Sequence, residues 1–202
     1  GDATRKVNKL GVIGAGVMGG GIAQVAAYHQ IPVRLKDVVV EALTTGYKVA
    51  HQRFYERQRV GKLSSQEVSQ RMALISPTLA YTGFGTADLV IESVVENLDV
   101  KRSVLSDIEN VTRPDTVIAT NTSSLTLSEM ATSMRRPGRF VGLHFFNPVH
   151  RMPLVEVVCS ETTEVDAVGC ALSFVHRLGK VPVKVADSPG FLVNRVLMPY
   201  LN

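Results

Sequence analysis

The run Lys9-Leu10-Gly11-Val12-Ile13-Gly14-Ala15-Gly16-Val17-Met18-Gly19 decides how the rest of the chain is read. Leu10 to Ile13 is a short apolar stretch, and it leads straight into a GxGxxG, Gly14 to Gly19. Ile22, Ala23, Val25, Ala26 and Ala27 then recur at a spacing that suits a helix. The order is therefore strand, tight turn, helix. Gly14 allows the turn, Gly16 lets the backbone approach a pyrophosphate, and Gly19 lets helix and strand pack closely. The free N–H groups of the first helical turn, aided by the positive end of its dipole, suit phosphates. Gly14, Gly16, Val17, Met18 and Gly19 are thus candidate dinucleotide contacts.

Glycine-rich turns also occur for purely structural reasons, so the next segment matters. Ile31-Pro32-Val33-Arg34-Leu35 reads as a second strand ending at Asp37, 23 residues after Gly14. An acid at that spacing can accept both ribose hydroxyls of an adenosine; the plainer alternative is a solvated strand-end carboxylate. On the functional reading Asp37 favours NAD over NADP, because it repels a 2′-phosphate. Arg34 and Lys36 stand close by and would offset part of that preference.

The chain has 202 residues, 45% hydrophobic and 20% charged, as expected of a soluble globular protein. No apolar run approaches the roughly 20 residues that span a bilayer. Gly1 to Lys6 is polar and lacks a signal-peptide core, so a cytoplasmic location is expected, with a mitochondrial or peroxisomal one as the alternatives. The net charge of +4 comes from scattered basic residues without interleaved aromatics, which disfavours nucleic acid. Phosphates of a nucleotide or a CoA ester suit that balance equally well. Cys159 and Cys170 fit neither a disulfide framework nor a metal spacing; a reducing compartment and no metal are expected.

After Asp37, apolar residues from Leu43 to Tyr55 predict an amphipathic helix over Val40 to about Arg59. Gly61-Lys62 breaks it, and Ser64 with Glu67 three residues on predicts the start of a second helix. This helical hairpin is an insertion on a simple βαβ pattern. Its Arg53, Arg57 and Lys62 read as a solvated face, or as contacts for an anionic substrate. Strands are expected at Ala87–Glu92, Thr116–Thr120, Phe140–Phe146, Leu154–Val158 and Val181–Val185. Helices are expected at about 100–110, from Ser128, over Val165 to Leu178 with Gly179 as its stop, and from Ser188 onward. Pro182 suggests an edge or the start of a strand. The alternation predicts an α/β, Rossmann-like, doubly wound and mostly parallel sheet.

In such sheets ligands sit outside the carboxyl ends of the strands. Glu96, Ser123 and Asn147 all follow predicted strands at that edge. His144 lies within an apolar strand, where a lone histidine is usually a satisfied core residue. Glu156 also lies within one, where an unpaired carboxylate is costly. The loop between them, bounded by Pro148 and Pro153, is short enough for the strands to lie side by side. A Glu–His pair would fix the imidazole tautomer and raise its basicity, though such pairing can also be purely structural.

Here the residues resemble a known family. Gly14–Gly19, Val94-Val95-Glu96-Asn97-Leu98, Asn121-Thr122-Ser123-Ser124-Leu125, Leu143-His144-Phe145-Phe146-Asn147-Pro148-Val149, Leu154-Val155-Glu156-Val157 and Pro189-Gly190-Phe191-Leu192-Val193-Asn194-Arg195 occur in the order seen in L-3-hydroxyacyl-CoA dehydrogenases. The likeness runs from about Val7 to Asn202. His150-Arg151-Met152-Pro153-Leu154 and Arg34-Leu35-Lys36-Asp37 look more like the form fused into multifunctional fatty-acid β-oxidation proteins. The resemblance implies NAD as cofactor and an acyl-CoA substrate, with a homodimer or multifunctional complex in the whole protein. It implies that His144 takes the 3-hydroxyl proton, Glu156 stabilises the imidazolium, and Ser123 and Asn194 bond the substrate oxygens. Asp37 would hold the adenosine ribose, Glu96 and Lys101 the nicotinamide half, and Asn147 would lie near that end.

The family continues into a helical domain, whereas this chain stops eight residues beyond Asn194. The expected division is an NAD-binding domain over 1–187 and the start of a truncated helical domain over 188–202, competent to bind NAD but poor at turnover. Alternatives are an NADP-dependent 3-hydroxybutyryl-CoA dehydrogenase, a non-catalytic nucleotide-binding or lens-type structural protein, or an interaction module using the apolar Phe191–Leu201 segment.

Overall fold

A computed structural model of the chain describes residues 6–191. Eight strands form one sheet: β1 (Leu10–Ile13), β2 (Val33–Lys36), β3 (Ile75–Thr78), β4 (Leu89–Glu92), β5 (Val117–Thr120), β6 (Phe140–Phe145), β7 (Leu154–Cys159) and β8 (Val181–Ala186). Between them lie α1 (Val17–Tyr28), α2 (Val40–Arg59), α3 (Ser65–Ala73), α4 (Leu98–Val111), α5 (Leu127–Ala131) and α6 (Val165–Arg177). The spatial order is β3-β2-β1-β4-β5-β6-β7-β8. Every pairing is parallel except β6 with β7, which is antiparallel.

The chain turns outward from β1 twice, once to β2 and later to β4. That reversal opens a crevice at the carboxyl end of β1, where open α/β sheets hold their ligands. Leu89, Ile91, Val117 and Ala119 join one core layer with α1, α2, α3 and α6, while Val90 and Ile118 join the other with α4 and α5. Burial on both faces is why these strands are almost wholly apolar instead of alternating.

The hairpin α2–α3 forms as its sequence predicts. Ser64 Oγ accepts from the Glu67 N–H while the Glu67 carboxylate accepts from the Ser64 N–H, a reciprocal capping box. Gly179, at φ +67°, ends α6.

Several sequence expectations need correction, among them the starts of β2 and β4, which lie at Val33 and Leu89, two residues inside the expected bounds. Strand β3 was not foreseen: of Ile75-Ser76-Pro77-Thr78 only Ile75 is buried, so the segment lacks the apolar density of the inner strands. It is an edge strand, which tolerates Pro77 because one side of its backbone is unpaired; Pro182 occupies the opposite edge in β8. Strand β6 stops at Phe145, one residue short of the expected end. Ser188 to Phe191 make a turn, and a helix beyond them, like Asn194, lies outside the described residues.

Candidate active site

The glycine turn has the geometry its spacing implies. Gly14 sits at φ +94°, and a Cβ there would lie 2.4 Å from the Ser93 carbonyl oxygen. A Cβ on Gly19 would lie 1.7 Å from the Gly14 carbonyl oxygen, so helix and strand could not close up with any other residue. At Gly16 a Cβ would meet nothing within 4 Å, because the residue faces the open crevice. Gly16 is also the N-cap of α1 and supplies no side chain to bond the first-turn N–H groups.

Asp37 is half-buried at the end of β2. Its Oδ2 accepts from the Ala15 N–H at 2.8 Å and its Oδ1 from the Val38 N–H at 2.7 Å. The carboxylate thus ties the glycine turn to β2 and keeps further lone pairs for a ligand. A cleft of about 780 Å³ opens beside it, lined among others by Gly14, Gly16, Asp37, Tyr81, Val94 and Val104. Of the two cations noted near Asp37, Arg34 donates to the Thr82 carbonyl at 2.8 Å. Lys36 lines this cleft with its ammonium 4.3 Å from the centre of the Tyr81 ring.

A second cleft of about 510 Å³ shares Gly16, Ser93, Val94 and Val95 with the first, so the two form one continuous groove across β1. Val17, Met18, Glu96, Lys101, Ser123, His144 and Asn147 line this second part. The described site residues expected from the sequence therefore gather on one groove, except Glu156, which stands behind it, and Gly19, which is buried against the Gly14 carbonyl between helix and strand. A dinucleotide fits such a groove: open space at Gly16 for phosphates, Asp37 at one half, and a polar cluster at the other.

His144 and Glu156 face each other across the antiparallel β6–β7 ladder, which also sets the strands side by side. His144 Nδ1 lies 2.7 Å from Glu156 Oε2. Glu156 is fully enclosed and His144 is 6% exposed. With the carboxylate accepting from Nδ1–H, Nε2 is the ring nitrogen left to accept a proton. Phe146 and Phe191 flank the imidazole at ring distances of 4.4 and 5.8 Å.

Sequence reading overlooked several supporting groups. Glu92, at the end of β4, is fully enclosed and pairs with Lys101 at 2.9 Å. Lys101, expected to face the nicotinamide half, is itself 1% exposed. Asn121 accepts from the Phe145 N–H at 2.9 Å and donates to Ser93 Oγ at 3.3 Å, joining the ends of β4, β5 and β6. Thr122 Oγ1 donates to the Glu96 carboxylate and accepts from the Leu125 N–H, which shapes the loop carrying Ser123. Their sequence signals were position, Glu92 closing β4 and Asn121 and Thr122 following β5, and for the latter two the Asn121–Leu125 motif.

Residues 9–188 match the family model described as 3-hydroxyacyl-CoA dehydrogenase, NAD binding domain. The chain belongs to that family. Its cofactor is accordingly NAD. The chain is 44% identical over 199 residues to the fatty acid oxidation complex subunit alpha of Idiomarina loihiensis, covering 98% of this chain but 28% of that protein. The crystal structure of 3-hydroxybutyryl-CoA dehydrogenase from Escherichia coli K12 superimposes with a TM-score of 0.92 at 40% identity, over 96% of this chain and 41% of that one. The (S)-3-hydroxybutyryl-CoA dehydrogenase PaaH1 from Ralstonia eutropha gives 0.94 at 34% identity, over 97% and 69%. The domain thus spans little more than a quarter of the curated relative's length. Among the described residues, no helix is long and apolar enough to cross a membrane.

Proposed function

We propose that this domain binds NAD along the groove and, within its whole protein, oxidises (S)-3-hydroxyacyl-CoA to 3-ketoacyl-CoA during fatty-acid β-oxidation. The observation that carries the reading is the 2.7 Å His144–Glu156 pair at the groove that also holds the glycine turn. In this reading His144 Nε2 removes the 3-hydroxyl proton, and Glu156 offsets the positive charge that the ring acquires. NAD, when bound, supplies the acceptor for the hydride leaving C3. Ser123, on the same groove wall, bonds the substrate oxygen. Asn194 is assigned the same task from the family motif, and it lies outside the described residues. Glu96 and Asn147 bound the nicotinamide half.

An anionic substrate tail is supported by a basic concavity of about 210 Å³, where Arg53, Arg57 and Lys62 of the helical hairpin meet His150 and Arg151. Arg53 also holds Glu56 there at 2.9 Å. His150 follows Asn147 by three residues, so one loop runs from the nicotinamide half to this patch.

Titrating NADH and then assaying acetoacetyl-CoA reduction, on this chain and on a longer protein containing it, tests the reading. His144→Gln should bind NADH within about twofold of the parent and lose about 10²–10⁴ in turnover; Glu156→Gln should lose turnover in the same direction. Retained turnover in His144→Gln overturns the proton-transfer assignment. Turnover by this chain near that of the longer protein would set aside the expectation of a poor catalyst. NADH binding without turnover by either would favour a non-catalytic nucleotide-binding protein.

A further inference from the structure

Between Glu92 and Lys101 runs the segment whose residues 93–96 wall the groove opposite the glycine turn. Glu92 closes β4, and Lys101 stands in the first turn of α4, whose N-cap Asn97 accepts from the Val100 N–H at 3.0 Å. Both Glu92 oxygens accept from Lys101 Nζ at 2.9 Å, and Thr120 Oγ1 adds a second donor. The pair also grips a peptide unit on either side of Val94. Its N–H donates to Glu92 Oε2 at 3.2 Å, and its carbonyl accepts from Lys101 Nζ at 3.3 Å. Three acceptors match the full donor capacity of an ammonium.

Lys101 lines the half of the groove that contains His144 and Asn147, and it is absent from the half beside Asp37. Two enclosed charges in one place demand a reason, because a hydrophobic pair of similar volume is often at least as stable. The reason lies in what the wall faces. A nicotinamide ring is cationic when oxidised and neutral when reduced. A lone ammonium beside it would disfavour the oxidised form; an ion pair is electrically near neutral at that range.

We propose that Glu92 is a positioning residue for the nicotinamide half: it cancels the Lys101 charge and, through Lys101, fixes Val94 in the groove wall. This deepens the NAD reading and rests on it. The charge-cancelling role separates it from ordinary structural support, since a group that only held the fold would weaken both redox forms alike.

The test measures dissociation constants for NAD⁺, NADH and ADP-ribose, the last lacking nicotinamide, by calorimetry on this chain. For Glu92→Gln the expected result is a ratio of NAD⁺ to NADH constants raised about tenfold over the parent, with ADP-ribose within about twofold. The double variant Glu92→Leu/Lys101→Met, which removes both charges, should return the ratio toward the parent value. An unchanged ratio in folded Glu92→Gln overturns the proposal, as does equal weakening of all three ligands. Should Glu92→Gln fail to fold, Lys101→Met must shift the ratio the opposite way, and no shift there overturns it. A parent chain that binds none of the three overturns the NAD reading itself, and this inference with it.

Discussion

Asp37 shows how much one carboxylate does at the glycine turn. It bonds the Ala15 N–H on one side and the Val38 N–H on the other. On the proposed NAD reading, replacing it removes a ribose acceptor and loosens the turn together. Asp37→Ala should therefore weaken NADH by about tenfold or more, since a charge-assisted bond contributes roughly 1.5–3 kcal/mol. NADPH should lose less, because the repulsion of a 2′-phosphate goes with the carboxylate; fluorescence titration of both cofactors checks this. The sequence exposed Asp37 through spacing alone, as it did the glycines, because a dinucleotide imposes fixed offsets on one βαβ unit. Glu92 escaped notice for a physical reason. It reads as the polar end of an apolar strand, and its bond to Lys101, nine residues on, exists only once β4 and α4 have packed together.

Local elements carry similar signals. The capping box at Ser64 and Glu67 was legible because both partners lie within one turn. The strap between α5 and β6 was not. There Glu109, nearly buried on α4, accepts from the Arg135 N–H at 2.9 Å and the Arg136 N–H at 2.7 Å. No local pattern announces a carboxylate that serves backbone groups more than 20 residues away. Glu109→Ala leaves both N–H groups without that acceptor and should cost about 2 kcal/mol. A lowered urea midpoint at unchanged slope would verify it. Likewise β3 was missed because edge strands need neither strong alternation nor full burial, whereas β4, β5 and β6, sealed on both faces, were legible to within one or two residues at their ends.

At the scale of the whole molecule, basic groups concentrate around the far end of α1. His29 is held below the ordinary histidine range by burial, then by Lys180 and Arg177; His150 is held there by burial, then by Arg53 and Arg151. A histidine whose folded pKa is lowered lends stability above its unfolded value of 6.5, and loses it as pH falls through the folded value. Thermal stability should therefore drop on acidification from about pH 7 to pH 5, and the double variant His29→Gln/His150→Gln should flatten that slope. A scan of Tm against pH for parent and variant measures it. Sheet topology has a further consequence. His144 and Glu156 are rung partners in an antiparallel ladder, so main-chain bonds fix their separation independently of the loop joining the strands. Insertions in that loop should leave the pair intact, whereas deleting one residue inside either strand would send one of the two side chains through to the opposite side of the sheet. Variation in loop length can thus reshape the basic concavity that His150 and Arg151 line while the imidazole and its carboxylate stay in register.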